Sequence, residues 1–251
     1  MIGSAGSDRI QDYFDVVARQ LQVLAHEEAE VLREAAGRIA GSVMDGGLVY
    51  TFGSGHSRFI AGELTWRAGG LAPVVAIEDP SNGAAERLEG YAATFLEEYD
   101  IQARDVVIVI SNSGINPVPI ETASHAAACG AFVIALMSRA HARAAASRHS
   151  SGAKLDGHCD LVIDTHVPVG DAALEVAGRT WRVAPTSTVL GTAVLNAVVA
   201  EAAQRLLDAG HEPPVLVSAN VAEGDEHNRR LADALWPRLT RFPRRGSSSA
   251  A

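Results

Sequence analysis

The sequence runs Asp105-Val-Val-Ile-Val-Ile110 and continues directly into Ser111-Asn-Ser-Gly114. An unbroken run of β-branched residues before a turn predicts a strand that is covered on both faces. The earlier stretch Leu48–Phe52 repeats this pattern, because it enters the turn Gly53-Ser-Gly-His-Ser57. A helical pattern follows each turn, so the chain is predicted to contain two strand–turn–helix units.

On either side of these two units, the chain alternates between predicted strands and predicted helices. Such alternation is typical of an α/β fold with a mostly parallel sheet, in which ligands bind beyond the carboxyl ends of the strands. The further predicted strands are Pro73–Ile77, Ala131–Leu136 and Asp160–Asp164. The predicted helices are one or two from Asp8 to about Met44, then Ser57 to about Ala68, Gly83–Glu98, a helix ending near Cys129, Thr188–Ala209 and Asp225–Leu239.

The composition and net charge of the chain exclude some classes of function. The chain has 251 residues, of which 47% are hydrophobic, and a net charge of −9. This is enough apolar sequence for a full core, and the negative charge argues against a nucleic-acid surface. We find no signal-peptide pattern and no apolar run long enough to span a membrane, and only two cysteines are present, Cys129 and Cys159. These features predict a cytoplasmic protein with no membrane partner.

Several familiar motifs are missing from the two turns. Gly53-Ser-Gly55 lacks the third glycine of a dinucleotide fingerprint, no Gly-Lys-Ser/Thr follows either turn, and neither contains a Gly-x-Ser-x-Gly elbow. The spacing of His149, His158, Cys159 and His166 matches no standard zinc site. We therefore predict neither a cofactor nor a metal.

The chemistry of the turns favours a phosphate instead. Glycine lets the backbone approach an anion closely, serine hydroxyls donate hydrogen bonds, and a helix N-terminus supplies free N–H groups. A phosphate ester can be held in this way without lysine, which suits an acidic chain. A pair of tight strand-to-helix connections with no ligand is the alternative interpretation.

The turns Gly53–Ser57 and Ser111–Asn116 resemble the two phosphosugar-binding turns of the SIS (sugar isomerase) domain, and Pro185–Thr188 resembles its third hydroxyl-rich element. The resemblance implies a three-layer α/β/α sandwich with a flavodoxin-like sheet and flanking helices, and a homodimer with sites near the interface. It divides the chain into an N-terminal helical extension (1–45), the SIS domain (46–209), a C-terminal extension (210–243) and a disordered tail (244–251). The substrate-binding residues that it implies are Ser54, Ser57, Ser111, Ser113, Asn116, Thr186 and Thr188.

The resemblance also supplies candidate catalytic residues. Glu63, in Ala61-Gly-Glu-Leu-Thr-Trp-Arg67, matches the catalytic glutamate of phosphoheptose isomerases, but Asn196 stands near the position of their catalytic histidine. Glu89, in Leu88-Glu-Gly90, resembles a catalytic glutamate of N-acetylmuramic acid 6-phosphate etherases. His56, inside the first turn, is a ligand contact or proton carrier.

Two glutamates near one sugar suit removal of the C2 proton and loss of the group at C3. With a hydroxyl at C3 the product is an alkene and water, so the resemblance implies dehydration of a phosphorylated amino sugar, N-acetylglucosamine 6-phosphate. This is the reaction of a stand-alone actinobacterial SIS protein of similar type. An aldose–ketose isomerase and a non-catalytic sugar-phosphate sensor are the alternatives. A transcription-regulating sensor would need a basic DNA-reading helix pair, which the sequence does not contain before the domain.

Overall fold

The computed structural model describes residues 8–239. The tail predicted to be disordered, 244–251, lies outside the described residues. Within the described part of the chain, no helix is both long and apolar enough to cross a membrane.

A five-stranded parallel sheet forms the centre of the molecule. Its strand order is β2-β1-β3-β4-β5, which confirms the predicted flavodoxin-like topology. The strands are β1 (Val49–Gly53), β2 (Val74–Ile77), β3 (Val106–Ile110), β4 (Phe132–Met137) and β5 (Leu161–Asp164).

Helices cover both faces of this sheet and complete three layers. Helices α1, α2, α3 and α7 pack on one face, and α4, α5 and α6 pack on the other. The helices are α1 (Arg9–Glu27), α2 (Ala29–Met44), α3 (Ser57–Glu63), α4 (Ala93–Leu96), α5 (Pro117–Ala128), α6 (Arg139–Ala144), α7 (Ser187–Asp208) and α8 (Gly224–Leu235), with a 3₁₀ helix at Leu155–His158.

Strand β3 lies between two helical layers, which explains why its sequence is apolar at every position. Val106, Ile108 and Ile110 pack toward the layer of α2 and α7, whereas Val107 and Val109 pack toward α5. All five side chains are at most 2% exposed. Successive side chains of a strand point to opposite faces, so a strand between two helical layers needs an apolar residue at every position.

Two predicted helix boundaries were wrong. The segment predicted as the helix Gly83–Glu98 consists of turns, with helix only at Ala93–Leu96. Gly83 and Gly90 have φ angles of +92° and +78°, which end a right-handed helix. The backbone N–H groups of Gly90 and Ala92 donate to the Glu121 carboxylate instead of to helical carbonyls. Helix α3 ends at Glu63 rather than near Ala68, shortly before Trp66, whose φ is +48°.

An antiparallel hairpin was not predicted. Strands β6 (Ala172–Glu175) and β7 (Arg182–Pro185) form it before α7. The hydroxyl of Tyr13 on α1 donates to the Pro185 carbonyl at 3.0 Å, which ties the hairpin to the N-terminal helix.

The segment after α7 returns to the sheet. Val215 forms an antiparallel bridge with Leu71, next to β2. Past α8, Arg238 donates to the carboxylate of Asp105 at 2.8 Å. Asp105 is only 1% exposed and also accepts the backbone N–H of Leu48, so one buried carboxylate joins the starts of β1 and β3 to the last described turn.

Candidate functional site

The two glycine- and serine-rich turns lie side by side. Strands β1 and β3 are paired neighbours, and Gly53 is in register with Ile110. The strand order reverses between β1 and β3, so both turns open onto the crevice at the carboxyl end of the sheet. This is the position that the sequence predicted.

The first turn depends on close backbone approach. A Cβ on Gly53 would lie 2.4 Å from the carbonyl oxygen of Ser57, and one on Gly83 would lie 2.6 Å from the backbone nitrogen of Gly55. These distances leave no room for a larger residue, because Cβ atoms do not approach backbone atoms below about 3 Å. The turn is therefore compressed between its own α3 helix and the loop after β2.

The polar side chains of the first turn have different surroundings. Ser54 is 5% exposed and its hydroxyl donates to Asp79 at 3.2 Å. Ser57 is half-buried, and its hydroxyl makes no hydrogen bond within residues 8–239. His56 is exposed and its ring lies 5.7 Å from that of Phe59. Ser57 thus has a hydroxyl available to a ligand, whereas that of Ser54 serves the loop after β2.

The second turn is braced from within and from a distant loop. The Ser111 hydroxyl accepts the backbone N–H of Gly114 at 3.2 Å, and Ser111 is 4% exposed. Asn116 is 6% exposed, and its side-chain oxygen accepts from the Arg148 guanidinium at 2.7 Å. Ser113 is half-buried, and its hydroxyl has no partner in the part of the chain that the structure describes. Ser113 is therefore the free hydroxyl of this turn.

The third hydroxyl-rich element already holds an anion. The backbone N–H groups of Thr186 and Ser187 donate to Asp171 at 3.0 and 2.8 Å, and the Ser187 hydroxyl donates to the same carboxylate at 2.6 Å. Thr186 is fully buried, while Thr188 is exposed on the first turn of α7. The N-terminus of α7 is thus neutralised by a carboxylate from the chain itself.

Glu63 lies at the end of α3. Its carboxylate forms an ion pair with Arg67, one helical turn later, and its side chain is 32% exposed. Asn196, near the position where phosphoheptose isomerases carry a histidine, is exposed on α7 and donates to the Thr192 carbonyl at 3.0 Å.

Glu89 lies in the turn segment between Gly83 and α4. Its two carboxylate oxygens accept the backbone N–H and the hydroxyl of Ser150, both at 2.6 Å. These bonds, the hydroxyl first, hold the pKa of Glu89 below its ordinary value, because they stabilise the charged form. Glu63 and Glu89 do not contact each other within residues 8–239: each is held by its own partner.

Sequence reasoning missed four residues that shape these turns: Asp79, Arg148, Ser150 and Asp171. Only Asp79 had a local signal, because Asp-Pro-Ser-Asn-Gly after β2 is a typical turn sequence. Its carboxylate binds the hydroxyls of Ser54 and Ser81 and the backbone N–H of Gly83. The other three act across 15 to 61 positions of sequence, where no spacing rule applies.

A cleft of about 610 Å³ adjoins the first turn. Helix α3 forms one wall through Arg58 and Phe59, and the loop Glu78–Gly83 forms the other. The Arg58 guanidinium donates to Asn82 across the opening at 2.6 Å. Over the described range 8–239, His, Cys, Asp and Glu side chains form no group of three or more that could hold a metal ion.

Comparison with known proteins gives consistent matches. Residues 12–138 match the family model described as SIS domain. A UPF0309 protein of Halalkalibacterium halodurans is 40% identical over 239 residues, which cover 92% of this chain and 96% of the relative. A UPF0309 protein of Geobacillus thermodenitrificans is 42% identical over 239 residues, 92% of this chain and 96% of the relative. A solved phosphoheptose isomerase from Francisella tularensis shares the fold at a TM-score of 0.57 and 18% identity, covering 80% of this chain and all of that one.

Proposed function

Because the chain belongs to the SIS domain family and to its UPF0309 members, we propose that it is a lyase that dehydrates N-acetylglucosamine 6-phosphate. The observation that carries the proposal is the pairing of two hydroxyl-rich turns, the second of which is linked to the carboxylate Glu89 through the loop that holds Arg148 and Ser150. A phosphosugar ligand is the broader expectation for this family, and dehydration is the specific step that we propose.

The turns supply the phosphate contacts in this proposal. The free hydroxyls of Ser57 and Ser113 donate to the phosphate oxygens, and Ser111 and Asn116 shape the second turn around them. Ser54 acts indirectly, since its hydroxyl holds Asp79. Thr186 and Thr188 belong to the sugar end of the site rather than to the phosphate, because Asp171 already occupies the N-terminus of α7.

Glu89 removes the C2 proton. In the open-chain form of the sugar this proton is acidified by the neighbouring aldehyde, and an ionised carboxylate can accept it. The electron pair then forms the C2–C3 double bond, and the C3 oxygen departs as water after it receives a proton. His56, next to α3, is the candidate donor of that proton, and Glu63 on α3 can serve as the donor only after its ion pair with Arg67 opens and it takes up a proton.

Isomerisation is the second candidate, and the position of Glu63 favours it. By sequence resemblance Glu63 matches the phosphoheptose isomerase glutamate, and the Francisella tularensis protein of that name shares this fold. On a sugar phosphate with a hydroxyl at C2, reprotonation at C1 instead of loss of the C3 oxygen would give a ketose of unchanged mass. The exposed Asn196 cannot replace the histidine of those enzymes, because an amide does not exchange protons near neutral pH.

We also propose that the protein works as a homodimer in the cytoplasm, where its two free cysteines stay reduced. In this arrangement residues 1–45 and 210–243 flank a SIS domain at 46–209, and the segment Ser218–Asn228 reaches the site of the neighbouring subunit. A second subunit would bring a Glu63 and a Glu89 to the same sugar, which the two glutamates of one chain do not reach together.

The test is incubation of the purified protein with N-acetylglucosamine 6-phosphate in deuterated water, followed by mass spectrometry. The expected product is one water lighter than the substrate. Glu63→Gln and Glu89→Gln should each keep phosphosugar binding, measured by calorimetry, and lose about 10²–10⁴-fold in turnover. Glu97→Gln, on an exposed carboxylate outside the site, is the matched control.

The other possible results of these measurements distinguish the alternative functions. A parallel incubation with an aldose phosphate that carries a hydroxyl at C2 tests the alternative, because a ketose of unchanged mass from that sugar would establish the isomerase. Absence of both deuterium at C2 and any product across amino-sugar phosphates, with binding retained, would leave a sensor. Equal affinity for phosphorylated and unphosphorylated sugars would overturn the phosphosugar assignment itself.

A further inference from the structure

The loop between α6 and the 3₁₀ helix connects the second turn to Glu89. Two residues in this loop carry the connection. Arg148 donates its backbone N–H to the Ile115 carbonyl at 2.8 Å and its guanidinium to the Asn116 side chain at 2.7 Å. Ser150 donates to both oxygens of Glu89. The loop thus places one cation at the second turn and one donor residue at the proposed base.

The charge of Arg148 is not compensated by the protein. Across residues 8–239 its guanidinium forms no ion pair, although the chain carries a net charge of −9. The side chain is exposed, and of the five N–H donors of an arginine only one group is engaged, by the neutral Asn116 oxygen. Glu89 and Glu121, the nearby acidic residues of this network, are bound to Ser150 and to backbone N–H groups instead.

Asn116 fixes where this cation lies. It is buried and stands immediately before Pro117, the first residue of α5. A guanidinium anchored to Asn116 therefore lies at the end of the second turn. Proline has no N–H to offer an anion, so a donor from elsewhere adds what the start of α5 lacks.

We propose that Arg148 is a specificity-determining residue that contacts the phosphate of the substrate at the second turn. This inference rests on the proposed function and adds a charged contact to a cradle of hydroxyls. A planar guanidinium with free N–H groups matches a phosphate dianion better than hydroxyls alone do, because charge-assisted bonds are stronger and can be bidentate. Arg148 thereby favours phosphorylated over unphosphorylated sugars.

The test separates this role from simple support of Asn116. Calorimetry measures the affinity of wild type, Arg148→Ala and Arg148→Gln for N-acetylglucosamine 6-phosphate and for N-acetylglucosamine. Glutamine keeps a side chain that can donate hydrogen bonds but carries no charge. Both variants should lose about 10- to 100-fold in affinity for the phosphorylated sugar alone. Their dependence on salt concentration should also weaken.

Arg143→Ala is the control, because it removes an equal charge from an exposed position on α6, five residues away. It should bind as the wild type does. If Arg148→Gln binds the phosphorylated sugar as tightly as wild type, then Arg148 only positions Asn116 and the inference is wrong. If wild type binds the phosphorylated and the unphosphorylated sugar with equal affinity, the proposed function is wrong, whatever Arg148 does.

Discussion

Among single residues, Ser150 has the largest effect on the pKa of Glu89. Its hydroxyl is the leading reason that the pKa of Glu89 lies below the ordinary value. A lowered pKa keeps the carboxylate ionised to more acidic pH, so removal of the hydroxyl must move that pKa upward. Because the proposed base works only when ionised, the acidic limb of activity should follow.

We therefore expect Ser150→Ala to shift the acidic limb of the kcat/KM profile to higher pH, with little change at the alkaline side. The backbone N–H of residue 150 remains as a donor, so the shift is partial. Ser151→Ala is the matched control, since Ser151 bonds His149 and not Glu89. An unchanged acidic limb in Ser150→Ala would mean that Glu89 is not the titrating base.

At the scale of elements, the packing of the loop after β2 on the first turn is the most vulnerable contact. A methyl group at position 83 would lie 2.6 Å from the Cα and the nitrogen of Gly55, which are backbone atoms and cannot swing aside. The turn would have to shift, together with the start of α3. The phosphate contacts of Ser57 would shift with it.

Gly83→Ala should weaken phosphosugar binding by more than about tenfold and lower the thermal midpoint of unfolding. Gly210→Ala is the control, because its φ of +77° imposes similar backbone strain while its added methyl meets nothing within 4 Å. Subtracting the control isolates the clash with the first turn. Equal binding in both variants would show that the first turn tolerates displacement or does not hold the ligand.

The sequence predicted those elements that are determined by residues close together in the chain. Val107 and its neighbours in β3 identify a doubly covered strand by composition alone, whereas the flavodoxin-like strand order was implied by the resemblance to the SIS domain. The helix expected at Gly83–Glu98 failed for the opposite reason. There, Glu121, more than 20 positions away, takes the backbone N–H groups that a helix would have used, and no local pattern reveals such a competitor.

The candidate site likewise has parts that the sequence predicted and parts that it did not. The two turns were predictable because glycine and serine between a strand and a helix have a direct physical meaning. Arg148, Ser150 and Asp171 were not, since each reaches its partner through the tertiary fold. The roles proposed for Glu63, Glu89 and His56 stay predictions, because one chain holds the two glutamates apart on separate partners.

At the scale of the whole molecule, apolar side chains remain exposed where α1 meets the hairpin. Ile10 and Phe14 on α1 are 72% and 62% exposed, and Trp181 and Val183 of the hairpin are 55% and 43% exposed. The Tyr13–Pro185 hydrogen bond holds these two elements together. A clustered apolar surface of this kind favours association with a second copy.

We expect light scattering at micromolar concentration to give the mass of a dimer, twice 26.3 kDa. Phe14→Glu should shift the distribution toward monomer, because it places a charge in the proposed interface. Leu207→Glu, at a half-exposed position near the end of α7, should not. A monomeric wild type would refute the dimer, and an unaffected Phe14→Glu dimer would place the interface elsewhere.

The contact between Arg238 and Asp105 has a consequence for biosynthesis. Asp105 sits at the start of the central strand and is buried, yet its cation is 133 positions away and leaves the ribosome much later. Backbone N–H groups such as that of Leu48 can bind Asp105 earlier, but a buried carboxylate without its cation is unfavourable, so this part of the sheet is less stable while the nascent chain lacks Arg238. The start of the sheet therefore gains its full stability only after residue 238 has been synthesised.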